Sequence, residues 1–223
     1  MSEKDRAFLS FFHVTNPIYD KERIEGTRGG LFEDCYTWIL EQDAFKRWDT
    51  TPSAQLLWVR GDPGKGKTML LCGIVDTLRA RPGAVPVIFS YFQASDLERS
   101  KASTILQGLL YLVLKEHPFL IPPIRDKFWH ESETLSRQAH PFSVLTSMFR
   151  HVLQHPALKN GVRIVIDALD ECRDGLPRLL DFIVSASASF PHTKWIVSSR
   201  NNLEVKERLA LMGDQRLLLS LDA

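Results

Sequence analysis

Hydrophobic positions along this chain fall into two rhythms that alternate. Leu56-Leu57-Trp58-Val59 is a short unbroken apolar run leading into glycines, the pattern of a strand buried on both faces. Met69 to Arg79 follows with helical periodicity and is stopped by Arg81-Pro82-Gly83. Val85 to Phe92 is β-branched and aromatic, with Pro86 best placed at the strand's beginning. Ile105 to Leu114 predicts a strongly apolar helix. Phe142, Leu145, Met148, Phe149, Val152 and Leu153 mark one face of another, over 142–153. Then come a strand at Val162 to Ile166, a helix at Leu176 to Val184, a strand at Trp195 to Val197, a helix at Leu203 to Leu211 and a last strand at Leu217 to Leu221. Strands that alternate with helices predict an α/β fold with a central parallel sheet of five strands, helices on both faces.

The flanks of this pattern are less regular. Residues 1–30 show weak periodicity and several turn formers, and read as an N-terminal linker. Leu31, Phe32, Cys35, Tyr36, Ile39 and Leu40 fall at helical spacing and predict an amphipathic helix within a lead-in over 31–53, ahead of a core over 54–223. Residues 118–141 are polar and marked by prolines, and read as loops with short turns.

Composition narrows the partners. The 223 residues are 44% hydrophobic and 25% charged, an ordinary mix for a globular domain. A formal charge of +1 gives no field to gather a polyanion, so nucleic acid is not an implied partner, and one Arg28-Gly29-Gly30 triplet reads as a turn before a helix. Three widely spaced cysteines, Cys35, Cys72 and Cys172, match no metal pattern and fit a reducing compartment. Seven histidines include no H-E-x-x-H, so no zinc site is implied. The apolar patch at Phe8 to Phe12 is too short for a signal peptide, and no run reaches transmembrane length, which makes the cytoplasm the expected location and a membrane no partner.

Chemistry concentrates after three of the strands. Gly61-Asp62-Pro63-Gly64-Lys65-Gly66-Lys67-Thr68 matches G-x-x-x-x-G-K-[ST] in full, between a strand and a helix. Gly61, Gly64 and Gly66 let the backbone turn its N–H groups onto phosphates, with Asp62, Pro63 and Met69 beside them. Lys67 reaches the β and γ phosphates and the Thr68 hydroxyl ligates Mg²⁺. Lys65 reads equally as a solvent-facing loop lysine. The second segment, Ile164-Val165-Ile166-Asp167-Ala168-Leu169-Asp170-Glu171, resembles a Walker B strand: Asp167 would hold a water on the same Mg²⁺, and Asp170 or Glu171 would position a water near the γ-phosphate. The third, Lys194-Trp195-Ile196-Val197-Ser198-Ser199-Arg200, ends in a cation. Arg200 is either a γ-phosphate contact or an ordinary strand-end arginine paired with an acid.

With Arg23-Ile24-Glu25-Gly26-Thr27-Arg28-Gly29-Gly30-Leu31, these segments resemble the NACHT module of the signal-transducing (STAND) P-loop NTPases, most closely that of fungal NOD-like receptors of the heterokaryon-incompatibility type. The resemblance runs from about Arg23 to the end. It implies the three-layer P-loop NTPase (ASCE) fold with strand order 5-1-4-3-2, ATP/ADP or GTP/GDP as ligand with Mg²⁺, and a catalytic set of Lys67, Asp170, Glu171 and Arg200, the last as sensor 1. It also implies Ile24 and Gly26 as residues near the base. In that family the module controls self-association of a receptor that also carries an effector domain and a repeat sensor. Neither those domains nor the helical and winged-helix extensions are recognisable here, so the resemblance implies an excised core with weakened locking of the diphosphate. Two classes compete with it: a turnover enzyme, such as a kinase or a motor ATPase, and a nucleotide-binding scaffold without catalysis, for which intact Lys67, Thr68 and Asp167 speak to binding and not to rate. A small-molecule kinase needs a lid rich in arginines, and the insert over 118–141 offers only Arg125 and Arg137.

Overall fold

The apolar runs pair with one another. In the computed structural model, which describes residues 1–13, 15–135 and 142–222, the strands are β1 Leu56–Arg60, β2 Val87–Tyr91, β3 Val162–Asp167, β4 Thr193–Ser199 and β5 Arg216–Ser220. They form one five-stranded sheet in the order β2-β3-β4-β1-β5, parallel throughout. Read from the other edge this is 5-1-4-3-2, the expected order. Pro86 stands just outside β2, where its missing N–H is not needed, and its carbonyl accepts a 2.8 Å bond from the Arg163 N–H. Every β1 residue except the last is buried, as are all five of β2, which explains why neither run alternates.

The helices are α1 Glu3–Ser10, α2 Pro17–Thr27, α3 Thr37–Leu40, α4 Asp43–Thr50, α5 Lys67–Ala80, α6 Ala102–Glu116, α7 Ile121–Leu135, α8 Phe142–Leu153, α9 Leu176–Ser189 and α10 Leu203–Ala210. Helix α5 packs on β2, β3 and β4, α4 on β1 and β5, α6 on β2 and α9 on β4, giving three layers. Helix α6 is apolar nearly all round because α1, α2, α8 and α9 also pack against it. Among the described residues, no helix is long and apolar enough to cross a membrane.

Three stretches depart from the sequence reading. Residues 118–135 are not loop: after a 3-10 turn at Pro118–Leu120, α7 runs from Ile121 with Pro122 and Pro123 in its first turn, where a helix leaves N–H groups unpaired anyway. Ile121, Ile124 and Phe128 then bury one face. Residues 136–141, with Arg137 and Pro141, lie outside the described residues. The helix expected over Leu31 to Leu40 is instead a 3-10 turn at Glu33–Cys35 followed by the single turn of α3. The Tyr36 ring lies so close to Gly73 of α5 that a Cβ there would meet it at 2.1 Å. That contact holds Tyr36 at φ −135°, outside a continuous helix.

The third departure is at the start of the chain, where weak periodicity conceals two capped helices. Ser2 accepts a 3.1 Å bond from the Asp5 N–H, while Asp5 accepts one of 2.8 Å from the Ser2 N–H, a capping box for α1. Asn16 caps α2 by accepting from the Ile18 N–H, and Pro17 takes the first helical position. Phe8 and Phe12 are buried, with Phe8 stacked on Trp129 of α7.

Candidate functional site

The three chemical segments meet at the carboxyl ends of the parallel strands, the edge at which open α/β sheets hold ligands. The loop after β1 turns on Gly64 at φ +81° and Gly66 at φ +77°, left-handed conformations that glycine adopts at no steric cost. Gly61 is needed for a different reason. A Cβ there would lie 2.9 Å from Leu221 Cβ, in the segment after β5 that closes on the loop. The Leu221 N–H donates to the Arg60 carbonyl at 2.8 Å, and the Asp62 N–H donates to Asp222 Oδ1 at 2.8 Å. Helix α5 then begins at Lys67, with its unpaired N–H groups facing the cleft. The Lys67 ammonium folds back to donate to the carbonyls of Gly61 and Asp62, the latter at 2.9 Å.

Asp167 ends β3 and is only 2% exposed. Burial pushes its carboxyl above the usual range, while bonds from the Ser198 and Thr68 hydroxyls and the charge of Lys67 pull the other way. Ser198 Oγ also accepts from the Ala168 N–H at 2.8 Å, which ties the end of β3 to β4. Ala168 is at φ +58°, the one non-glycine with positive φ among the described residues, and this bend carries Asp170 and Glu171 around to the cleft. Arg200, just past β4, donates its backbone N–H to Asp170 Oδ1 at 2.9 Å, and its guanidinium forms an ion pair with the same carboxylate, Nε lying 3.1 Å from Oδ2. Glu171 accepts a 2.7 Å bond from the Ala94 N–H beyond β2.

The resulting cleft measures about 240 Å³. Of the residues singled out in the sequence, Pro63, Gly64, Lys65, Gly66, Lys67, Thr68, Met69, Asp167, Asp170, Glu171 and Arg200 line it. Gly61 and Asp62 lie behind the loop and hold Lys67 through their carbonyls. Ile24 and Gly26 are not brought to the cleft: Ile24 is buried in the core and Gly26 sits on the outer part of α2. Arg28, read from sequence as part of a turn, is the residue of that segment that lines the cleft. Ser198 was also missed as an Asp167 partner; its hydroxyl directly before Ser199-Arg200 was the available signal. Arg125 pairs with Asp5 and Asp126 and takes no part in the cleft.

The donor set suits a polyphosphate. The cleft brings together the loop backbone, the cations Lys67 and Arg200, the Thr68 hydroxyl and the buried Asp167. Pockets that enclose a whole small molecule run to roughly 300–1,000 Å³, so this cleft matches the phosphate end of a nucleotide. Among the described residues, no three His, Cys, Asp or Glu side chains gather as a metal site. Asp167 with Thr68 would offer a divalent cation few protein oxygens, which suits Mg²⁺ completing its octahedron with phosphate and water. Cys72 and Cys172 are not reactive thiols: burial raises the first to about 12 and the second to about 11.

A model of the family described as Nephrocystin 3, N-terminal, matches residues 34–200, a span that contains the loop, the acids and Arg200. The chain belongs to this family. Within it, the domain is a NACHT-type nucleotide-binding P-loop NTPase homologous to the vegetative incompatibility protein HET-E-1 of Podospora anserina, with 40% identity over 221 residues. That alignment takes in 99% of this chain and 16% of HET-E-1, so this NACHT domain spans about a sixth of the relative's length. Among solved structures, the ORC1 protein of Aeropyrum pernix, determined in complex with DNA, matches 82% of the chain and 48% of its own at a TM-score of 0.50 and 15% identity. A likeness at that identity concerns the fold alone.

Proposed function

We propose that this NACHT domain is a nucleotide-controlled switch that binds ATP/ADP or GTP/GDP with Mg²⁺ and hydrolyses the triphosphate slowly. The observation that carries this reading is the convergence, in one cleft, of the glycine loop, the buried Asp167 with its partner Thr68, and Arg200. When bound, Mg²⁺ would neutralise phosphate charge and orient the β and γ groups. The protein's own part is to supply the α5 N–H groups and Lys67 to the phosphates, to keep Asp167 in place through Ser198, and to set Arg200 where a γ-phosphate is distinguished from its absence. Glu171 is the acid best suited to hold an attacking water, because its bond to Ala94 fixes it at the cleft wall.

In this reading diphosphate favours an off state, and triphosphate permits self-association of a longer receptor carrying effector and repeat-sensor domains. Non-self recognition leading to programmed cell death, the setting suggested by the HET-E-1 relationship, is the proposed biological role. Titration calorimetry with ADP, ATP, GDP and GTP, each with Mg²⁺, tests the first step. Saturable binding of one base in both phosphate states is expected; a folded sample that binds none of the four would overturn it. Light scattering of the receptor with triphosphate against diphosphate then tests the link to assembly.

A further inference from the structure

Asp170 is engaged by Arg200 in a way that bears on what each residue does. One carboxylate oxygen accepts from the Arg200 backbone N–H at 2.9 Å, and the other forms an ion pair with the guanidinium, 3.1 Å from Nε. A guanidinium held at its Nε edge keeps its terminal amino groups free as donors. The Asp170 side chain is 10% exposed and the Arg200 side chain 54%. The acid is therefore the fixed member of the pair and the arginine the member that reaches outward. Asp170 is itself fixed by the turn at Ala168, whose N–H is anchored to Ser198 Oγ and whose carbonyl accepts from the Glu171 N–H at 2.8 Å.

We infer that Asp170 is a positioning residue that clamps Arg200 by backbone and side chain together, aiming its free amino groups at the γ-phosphate, and so sets the discrimination between triphosphate and diphosphate. Water activation is thereby left to Glu171. This rests on the nucleotide reading above and assigns one of its residues. Arg200 follows β4 while Asp170 follows β3, so the clamp also spans neighbouring strands. A flexible strand-end arginine would lose several rotamers on meeting phosphate; an arginine already held at Nε loses fewer, and the gain falls only on ligands that carry a third phosphate.

The test is a double-mutant cycle with Asp170→Ala, Arg200→Ala and both together, read as the ratio of triphosphate to diphosphate affinity by calorimetry with Mg²⁺. Arg200→Ala is expected to lower the ratio about tenfold, the scale of one charge-assisted hydrogen bond. Asp170→Ala should lower it by a similar factor, and the double variant by no more than either single one. Asp170→Asn, close in shape, should fall between wild type and Asp170→Ala, which separates aim from simple loss of fold. An unchanged or higher ratio in Asp170→Ala overturns the inference, as does full additivity or an unchanged ratio in Arg200→Ala. Loss of diphosphate binding in the wild-type chain would instead overturn the nucleotide reading itself.

Discussion

Lys67 and Asp167 show how one cleft can set opposite requirements on single residues. Lys67 donates to the Gly61 and Asp62 carbonyls, partners that a phosphate would replace. Lys67→Ala is expected to weaken nucleotide binding by roughly 100-fold, enough to take it out of calorimetric range. Unchanged affinity would sink the assignment of the loop. Asp167 is a buried acid, and the cost of desolvating its charged form raises its pKa. Asp167→Asn removes the cost of charging a buried acid and should raise the melting temperature of the nucleotide-free protein by about 2–4 °C, while abolishing the Mg²⁺-dependent part of its nucleotide affinity. A drop in both measurements would mean that the carboxylate is structural.

At the scale of elements, the contact between α5 and the turn before α3 decides a sign. Gly73 lies inside α5, where alanine is ordinarily better by about 1 kcal/mol. A Cβ there would meet Tyr36 Cγ at 2.1 Å and both Cδ atoms within 2.5 Å, the base of the ring rather than its free end. The backbone of the turn would have to move, and overpacking of this kind costs roughly 1–3 kcal/mol. Gly73→Ala should therefore lower the melting temperature by a few degrees. In a Tyr36→Ala background the same change should raise it. The opposite pattern in scanning calorimetry would show that the ring is not what demands glycine.

For the whole molecule, the question is whether residues 1–30 are a linker or part of the folded unit. Phe8 and Phe12 are at most 1% exposed, and each such burial is worth about 1.5–3 kcal/mol. Asp5 pairs with Arg125 of α7, Asp20 with Arg99 at 3.2 Å, and Lys21 with Asp76 of α5 at 2.7 Å. A chain lacking residues 1–30 is expected to melt at least about 10 °C lower, because several such burials are lost together. Equal thermal stability of the shortened chain would restore the linker reading.

Much of this is legible in the sequence alone, for a physical reason. A phosphate-binding loop is local: its glycines, its lysine and its hydroxyl act within eight consecutive residues. A strand buried on both faces likewise announces itself as an apolar run. Capping signals at Ser2 and Asn16 were equally local but lay in a stretch without strong periodicity, and Pro122-Pro123 concealed α7 because proline opens a helix as readily as it ends one. The strand order came from family resemblance, since apolar runs do not say which neighbour each will choose. Only the tertiary structure could place Arg28 in the cleft and Ile24 in the core, or bring Arg200 onto Asp170 across two strands 30 residues apart. Those pairings depend on sheet order and register, which the packing of the whole chain decides.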